Sequence, residues 1–537
     1  MWVCRCSTPC RALGRPDAYP HDPSARQGVE QRQTHISLVF LTADYVYKLR
    51  KPVRLDFVDF SDRGARDHDC ERELALNRRL APSVYLGIAP ILHSPEGVEV
   101  AQTREHLSRE SRTLEHCVVM RRLPPGRDAR ALLASGRLES RHVEAVARRL
   151  AGFHQRHGCG RPAPFSGAQW LERITRPAEE NFATLARLRA VVDAALTRRA
   201  QERTQAAIAR CREAFERRRL AGRAVDGHGD LHLEHIWFER DDDPLMIDCI
   251  EFSDDLRVGD AASDLAFLAM DLRYHSANAL AEHLLATYAE ETDDYDLYAV
   301  VDYFISYRAA VRAKVAALTA GQPEVPAQQR RAARESARKH LELCTGALTP
   351  RDLRTVVLTC GPVAAGKTSV AWALARAIGA VVIASDRLRH HVAPGHGARR
   401  QDRYSFEARL AVYRAMFERA LSVVQSGRPA ILDATFSLES FRNEVRRWAA
   451  AHGLLPVLVE VRADRQRARD RAAARAARGK GAGVEVVEQS WREFEPPAEW
   501  PASRRVQVDT SDPAWARQIN ALAARLALVQ PPSHSSI

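Results

Sequence analysis

The spacing of apolar and polar positions changes several times along the chain, and each change marks an element. Between residues 33 and 58, THISLVFL and YVYKLRKPV are rich in β-branched and aromatic residues and flank the polar turn TAD, which predicts a hairpin. DHDCERELALNRRLA then spaces Leu74, Leu76 and Leu80 as a helix does and precedes Pro82. Short strands are expected around YLGIAPIL, VEVAQ and HCVVMRRL. From 136 to 220 the period is helical, with Val143, Val146, Leu150 and Phe153 on one buried face. IWFE, the turn RDDDP and LMIDCIEF form a second hairpin signal, and helices return from about 261 to 346. TGALTPRDLR, with Gly346 and Pro350, reads as a linker, and a new strand opens at TVVLTC. The resulting division is a disordered tail over 1–29, a domain over 30–345, a linker over 346–352, a second domain over 353–528 and a disordered tail over 529–537.

A length of 537 residues calls for more than one core, at roughly 100–200 residues per domain. With 45% hydrophobic and 28% charged residues the composition is that of a globular protein. No stretch approaches the ~18 uninterrupted apolar residues of a membrane helix, and the first twenty residues lack the apolar run of a signal peptide, so no membrane partner and a cytoplasmic location are expected. The ten cysteines lack the spacing of a disulfide framework; Cys4, Cys6 and Cys10 cluster in the tail without a fourth ligand at zinc spacing. The net charge of +12 comes from arginines interleaved with acids along helical segments, the pattern of a salt-bridged surface. Aromatic residues are 7% of the chain and never alternate with basic ones as a stacking platform does, which argues against nucleic acid. No feature specifies an oligomeric state.

The most specific motif is GPVAAGKTS, in which Gly361, Gly366, Lys367 and Thr368 satisfy GxxxxGK[ST] between an apolar strand and an amphipathic helix. The loop from Gly361 through Pro362, Val363, Ala364, Ala365 and Gly366 to Ser369 is suited to cradle phosphates with its backbone N–H groups, which every residue but Pro362 has; Lys367 reaches the β- and γ-phosphates of ATP and Thr368 ligates Mg²⁺. Downstream, short apolar strands end in Asp386 and Asp433, at the edge where open α/β sheets bind ligands. Asp386 is placed to accept the proton of a substrate hydroxyl and Asp433 to position Mg²⁺; the alternative is that each caps the following helix. Arg471 and Arg475 lie one turn apart before a Gly-rich piece, either as a lid over the transferring phosphoryl group or as a plain surface face.

HGDLHLEHIWF, at 228–238, packs three histidines and two acids before an apolar run. One reading is a metal site on His228, His232 and His235; the other is a loop that presents the single carboxylate Asp230. Eighteen residues on lies Asp248, across the predicted hairpin, and upstream stand Lys48 on a strand and Glu73 on the next helix. A loop acid that orients a hydroxyl, a second acid for Mg²⁺, and a lysine–glutamate pair for the α/β-phosphates is the layout of kinase-like phosphotransferases.

GPVAAGKT, SDRLR, LDATF with Arg442 after it, and RDRAAAR together resemble the small P-loop kinases of the zeta-toxin and polynucleotide-kinase type. QTHISLVFL, VYKLRKPV, LALNRRLAPSVYLG, HGDLHLEHI and IDCIEFSDDLRVGDAASDLAFLAMDL extend the resemblance to bacterial two-domain proteins that fuse an aminoglycoside-phosphotransferase-like domain to such a kinase. That resemblance implies an α/β multidomain fold: a bilobal kinase-like α+β domain, then a three-layer α/β/α P-loop domain with a parallel sheet. It implies ATP and Mg²⁺ as cofactors and a small-molecule acceptor. It makes Asp386 the substrate-side base beside Arg389, gives Arg471 and Arg475 to the lid, makes Asp230 the catalytic base and Asp248 the main Mg²⁺ ligand, and sets Met120 and Arg121 beside the adenine. Position 235, a second metal ligand, is His where the pattern has Asn, and the tetrapeptide THIS stands where a Gly-rich loop would lie.

Overall fold

The computed structural model describes residues 9–55, 58–94, 97–108, 112–350, 354–392, 405–477 and 484–528. The chain forms two compact units, the first from Met1–Ile208, Phe215–His275 and Phe304–Cys344, the second from Ala209–Ala214, Ser276–Tyr303 and Thr345–Ile537. Among the described residues no helix is long and apolar enough to cross a membrane.

The first unit opens with a six-stranded antiparallel sheet in the order Glu30–Gln33, Ser37–Leu41, Tyr45–Arg50, Thr113–Arg121, Tyr85–Ser94, Gly97–Val100. Alternation decides what each face meets. Leu38, Phe40, Tyr47, Leu49, Ala89, Ile91, Cys117 and Val119 pack against Leu13, Ala18, Tyr19 and Ala25 from the N-terminal segment. The expectation of a disordered tail over 1–29 is therefore corrected for its described part. Tyr19 is 3% exposed and its hydroxyl donates to Leu13 O at 2.7 Å, because these apolar residues cover a sheet face that would otherwise meet water. Residues 1–8, with Cys4 and Cys6, and the expected tail 529–537 lie outside the described residues.

The opposite face, through Tyr85, Ile88 and Val118, packs on Cys70 and Leu74 of the helix Arg63–Asn77. That helix begins where Asp62 accepts from Ala65 N at 3.0 Å, and it stops before Leu80. The predicted helical stretch becomes Ser140–Arg156, Gly167–Arg187 and Ala194–Leu220. The second hairpin is real but short, Ile236–Arg240 with Asp243–Met246, leaving 247–252 outside any strand.

The second unit is built on a five-stranded parallel sheet in the order Val381–Ala384, Ala430–Asp433, Val356–Cys360, Val457–Arg462, Arg505–Asp509. Its first three strands are buried throughout, as strands covered on both faces must be. Val357, Val382, Ile431, Val459 and Val461 face the helices Lys367–Ile378 and Trp515–Leu528. The alternate residues turn to the other face, where Phe406–Gln425 and Asn278–Thr292 lie. The latter helix belongs to Ser276–Tyr303, which precedes the expected boundary at 345 in sequence yet packs in this unit. Arg428, fully buried, holds it: Nη1 and Nη2 each lie 2.8 Å from Asp302 and Nε lies 2.9 Å from Glu282. The expected linker also starts inside a helix, Ala327–Ala347, whose last turns include Gly346.

Candidate active sites

In the first unit, the strand Tyr45–Arg50 turns Lys48 and Arg50 to the same side, two residues apart. Lys48 Nζ lies 2.8 Å from Glu73 Oε1, on the helix Arg63–Asn77, and 2.7 Å from Asp248 Oδ1. Arg50 donates to Glu73 Oε2 at 2.7 Å and Ser37 Oγ at 2.6 Å, and also bonds Asp69 and Glu251. Two buried cations thus face four carboxylates, and an acid in excess of its partners holds a proton more readily. Burial pushes Glu251 up to about 8 against the pull of Arg50. Asp248 goes the other way: burial would raise it, but Lys48, then His235, hold it well below the usual carboxylate range.

The loop after the strand Ala224–Asp226 is shaped by an acid that sequence reading left without a role. Asp264, in the first turn of the helix Ala261–Tyr274, accepts from His228 N and Gly229 N at 2.8 Å each and meets His154 Nε2 at 3.1 Å. Gly229 at φ 84° completes the turn that presents Asp230. Burial raises Asp230 and Asp248 adds to it, while His235, Arg312 and Arg308 oppose. His228 Nε2 donates to Ile247 O at 2.9 Å, so its lone pair is on Nδ1, which accepts from Asp230 N at 3.4 Å. The three histidines do not converge; the group that does is Asp230, His232 and His235, with donor atoms within 4.8 Å of one another. Asp248 sits in the left-handed region at φ 62°, its N–H held by Tyr85 OH at 3.1 Å, while the next amide, Cys249 N, donates to Asn77 Oδ1 at 2.8 Å. Met120 pairs with Val46 and Tyr85 in the sheet, and Arg121 beside it bonds both carboxylate oxygens of Glu239.

In the second unit, Val356–Cys360 lies between strands that follow it in sequence, so the chain leaves its carboxyl end at the point where strand order reverses. Gly361 turns at φ 151°, and a Cβ there would stand 2.4 Å from Val461 O; at Gly366, φ 97°, it would stand 2.9 Å from Thr510 Cγ2. Pro362 to Ala365 form the loop between them, and Lys367, Thr368 and Ser369 open the helix Lys367–Ile378. Lys367 Nζ donates to Pro362 O at 2.7 Å. Burial lowers Lys367, with Asp433 and Asp386 opposing and Arg475 adding to the effect. Asp433 ends its strand, accepts from Thr359 Oγ1 at 3.1 Å and is also hydrogen-bonded to Thr368; burial raises it.

Neither acid is an N-cap. Asp386 is the second residue of the helix Ser385–Val392, exposed and 3.3 Å from Arg389 Nη1, and no helix begins within five residues after Asp433. Arg471 is not loose: it donates to Thr510 Oγ1 at 2.8 Å and Thr510 O at 2.9 Å, and Thr510 Oγ1 in turn bonds Ala365 O at 2.7 Å, which fastens the arginine to the rim of the loop. Arg475 is exposed one turn on, and the Gly-rich piece after it lies outside the described residues. Arg442 is fully buried on Phe436 O, Glu495 O and Glu499, where it fixes the 495–499 segment. Thr359, Thr510 and Arg50 carried no motif signal, although Arg50 stands at strand spacing from Lys48.

Magnesium takes oxygen ligands in near-octahedral array. Thr368 and Asp433 supply hydroxyl and carboxylate oxygens and fit it. The first unit pairs the Asp248 carboxylate with the His235 imidazole, and a nitrogen at that place does not fit it.

A strand lysine paired to a helix glutamate beside two loop acids, and a phosphate loop on a parallel sheet, define a kinase-type phosphotransferase with two nucleotide-binding folds. Residues 41–301 match the phosphotransferase enzyme family and residues 356–497 match the AAA domain family. Uncharacterized protein Rv2004c of Mycobacterium tuberculosis is 33% identical over 431 residues, 79% of this chain and 81% of that protein. The chain belongs to this family of two-domain proteins that join an aminoglycoside-phosphotransferase-like domain to a P-loop kinase domain. It is also similar to a choline/ethanolamine kinase family protein from Mesorhizobium loti, at 14% identity over 64% of this chain and 99% of that one with a TM-score of 0.38. A gluconokinase from Sinorhizobium meliloti 1021 is 24% identical over 33% of this chain and 96% of its own, with a TM-score of 0.25.

Proposed function

We propose that the protein is an ATP-dependent phosphotransferase that moves the γ-phosphoryl group to a hydroxyl of a small polar molecule, with the second unit as its working site. The observation that carries this reading is the meeting of Lys367, Thr368, Asp433 and Asp386 at the carboxyl ends of one parallel sheet. Backbone N–H groups between Ala364 and Ser369 surround the phosphates, since Pro362 has none and those of Gly361 and Val363 donate to Thr435 O and Ser490 Oγ, and Lys367 exchanges Pro362 O for a phosphate oxygen. Thr368 and Asp433 would hold Mg²⁺, which would supply positive charge beside the phosphates. Asp386 accepts the acceptor's hydroxyl proton as the new O–P bond forms and ADP leaves, while Arg471 and Arg475 face the charge on the moving group. A cytoplasmic location fits the donor.

In the first unit the same reading gives the ATP phosphates to Lys48 and Glu73, the acceptor proton to Asp230, and the adenine edge to Met120 and Arg121; of the two expected metal ligands Asp248 supplies an oxygen, and His235 supplies a nitrogen that does not fit magnesium. The departure at His235 favours a second possibility for this unit alone, an ATP-binding regulator of its neighbour. The test is transfer of label from γ-labelled ATP into a metabolite pool by the full-length protein, comparing Lys367→Ala with Asp230→Asn. Loss only in Lys367→Ala supports the second unit as the working site and the first as regulator or substrate holder. Loss only in Asp230→Asn moves the reaction to the first unit, and transfer that survives both sinks the proposal.

A further inference from the structure

A buried guanidinium is normally matched by a carboxylate, because a charge taken out of water without a partner is costly. Seven arginines are buried among the described residues, and six follow the rule. Arg50 meets Asp69, Glu73 and Glu251, Arg66 meets Glu115, and Arg218 meets Asp260. Arg257 meets Asp226 and Asp254, Arg428 meets Glu282 and Asp302, and Arg442 meets Glu499. Arg308, on the helix Val301–Gly321 and 7% exposed, is the exception: no carboxylate among the described residues pairs with it. The rings of Phe267 and Tyr307, with centroids 4.9 and 5.2 Å from its Cζ, lessen the cost of its burial without cancelling its charge. Nε and Nη2 reach Ser263 O and Oγ only at 3.4 and 3.3 Å, and Nη1 has no hydrogen-bond partner among the described residues. Because Ser263 Oγ accepts from Nη2, its own hydrogen is left to donate.

Arg308 and Ser263 line a recess of about 510 Å³ that lies wholly within the first unit and has the volume of a small-molecule site. The other charged groups around it are already paired. Arg173 bonds Asp255 at 2.9 Å, Asp260 and Arg257 have the partners given above, and Asp264 is held by His154 and by the amides of His228 and Gly229. Ile174, Val225, Val258 and Phe304 supply an apolar wall. Lys48, Glu73, Asp230 and Asp248 are not among its lining residues, so the recess is distinct from the places given to nucleotide and metal. Asp264 is the shared wall, since it lines the recess and also shapes the loop of Asp230.

We infer that this recess binds a small organic anion with a short apolar body, its carboxylate or phosphoryl oxygens on Arg308 and Ser263. The planar fork of a guanidinium suits either group, and the anion supplies the partner that every other buried arginine already has. The inference stands apart from the proposed phosphoryl transfer, because the anion is held with or without nucleotide.

The probes are butyrate, which has a carboxylate on a short apolar chain, its neutral counterpart butyramide, and inorganic phosphate. Each is added to full-length protein without nucleotide at fixed ionic strength. Magnetic saturation transfer from the protein to the butyrate methyl group is expected, with none to butyramide. Loss of that transfer on adding phosphate assigns the recess to carboxylates and phosphoryl groups alike, and its survival assigns it to carboxylates alone. If butyrate shows no transfer, a phosphorus resonance of phosphate that is broadened by the wild type and not by Arg308→Met carries the inference for phosphoryl groups instead. Arg308→Met leaves no carboxylate without its cation and should fold as the wild type does, while the anion binds about tenfold or more weakly. Should it fail to fold, Ser263→Ala takes its place, with a loss of about threefold or more. Equal transfer to butyramide and butyrate, anion binding unchanged in the folded variant, or no signal from either anion would each overturn the inference.

Discussion

Lys367 Nζ rests on Pro362 O, so it is desolvated and held at the mouth of the loop before any ligand arrives. On the proposed reading, Lys367→Ala removes a group that meets the transferring phosphoryl and little packing. Steady-state kinetics should show kcat reduced by about 10²–10³ while the melting temperature is unchanged. Arg50 is the converse case. It is 3% exposed and is the shared partner of Asp69, Glu73 and Glu251. Arg50→Met leaves those carboxylates crowded and buried, and urea unfolding should register a loss of about 3–5 kcal/mol. The two lysines of the sites were legible because lysine is scarce and each falls in a spaced motif. Arg50 and Asp264 were not assigned: one is an arginine among many, and the other acts on backbone amides that only the folded loop brings to it.

The elements were legible where one face is apolar and the period is regular. The hairpin around TAD, the phosphate loop between strand and helix, and the helical stretch after 136 follow from spacing alone. What spacing did not show is how elements end, because ends are fixed by single polar contacts such as Asp62 on Ala65 N. The phosphate loop is also fixed by a close approach. Gly361→Ala would put a Cβ 2.4 Å from Val461 O at φ 151°, so the loop must move, at a cost of about 1–3 kcal/mol. Calorimetry with ATP should show weaker binding in that variant, with the strand order retained in its circular dichroism.

At the same scale His340 gives the helix Ala327–Ala347 a pH dependence. It is 4% exposed, stacked on Tyr274 at 3.9 Å, and burial lowers it from 6.5 to about 4. Above 6.5 both folded and unfolded chains hold it neutral. As pH falls from 6.5 towards 4 only the unfolded chain takes up the proton, so stability is lost, by up to about 3 kcal/mol. His340→Phe should flatten this part of the stability profile, measured by denaturant midpoints at pH 7 and pH 5.

At the scale of the whole molecule, two folding units and their order along the chain were legible from length, the linker-like TGALTPRDLR and the strand after it. Their membership was not, because hydrophobic period says that a helix is buried and not against which core. Ser276–Tyr303 lies before the linker and yet completes the parallel-sheet unit, and the reason is ionic as well as apolar. Arg428 bonds Asp302 and Glu282, Arg419 bonds Asp293, and Tyr295 reaches Val382 O. Arg428 is an unremarkable arginine in SGRPA until its partners, more than a hundred residues earlier, are known. Arg428→Met should therefore act on the second unit. It leaves two acids without their cation at a buried position, a loss of about 3–5 kcal/mol, which for a unit of this size lowers its melting by roughly ten degrees. Hydrogen exchange read by mass spectrometry localises the effect. Amides of 276–303 and of the strands Val381–Ala384 and Ala430–Asp433 should lose protection together, while the sheet from Ser37–Leu41 to Thr113–Arg121 keeps its own. If instead 276–303 loosens along with that antiparallel sheet and the parallel strands stay protected, the segment belongs to the first unit, as its position in the sequence would have it.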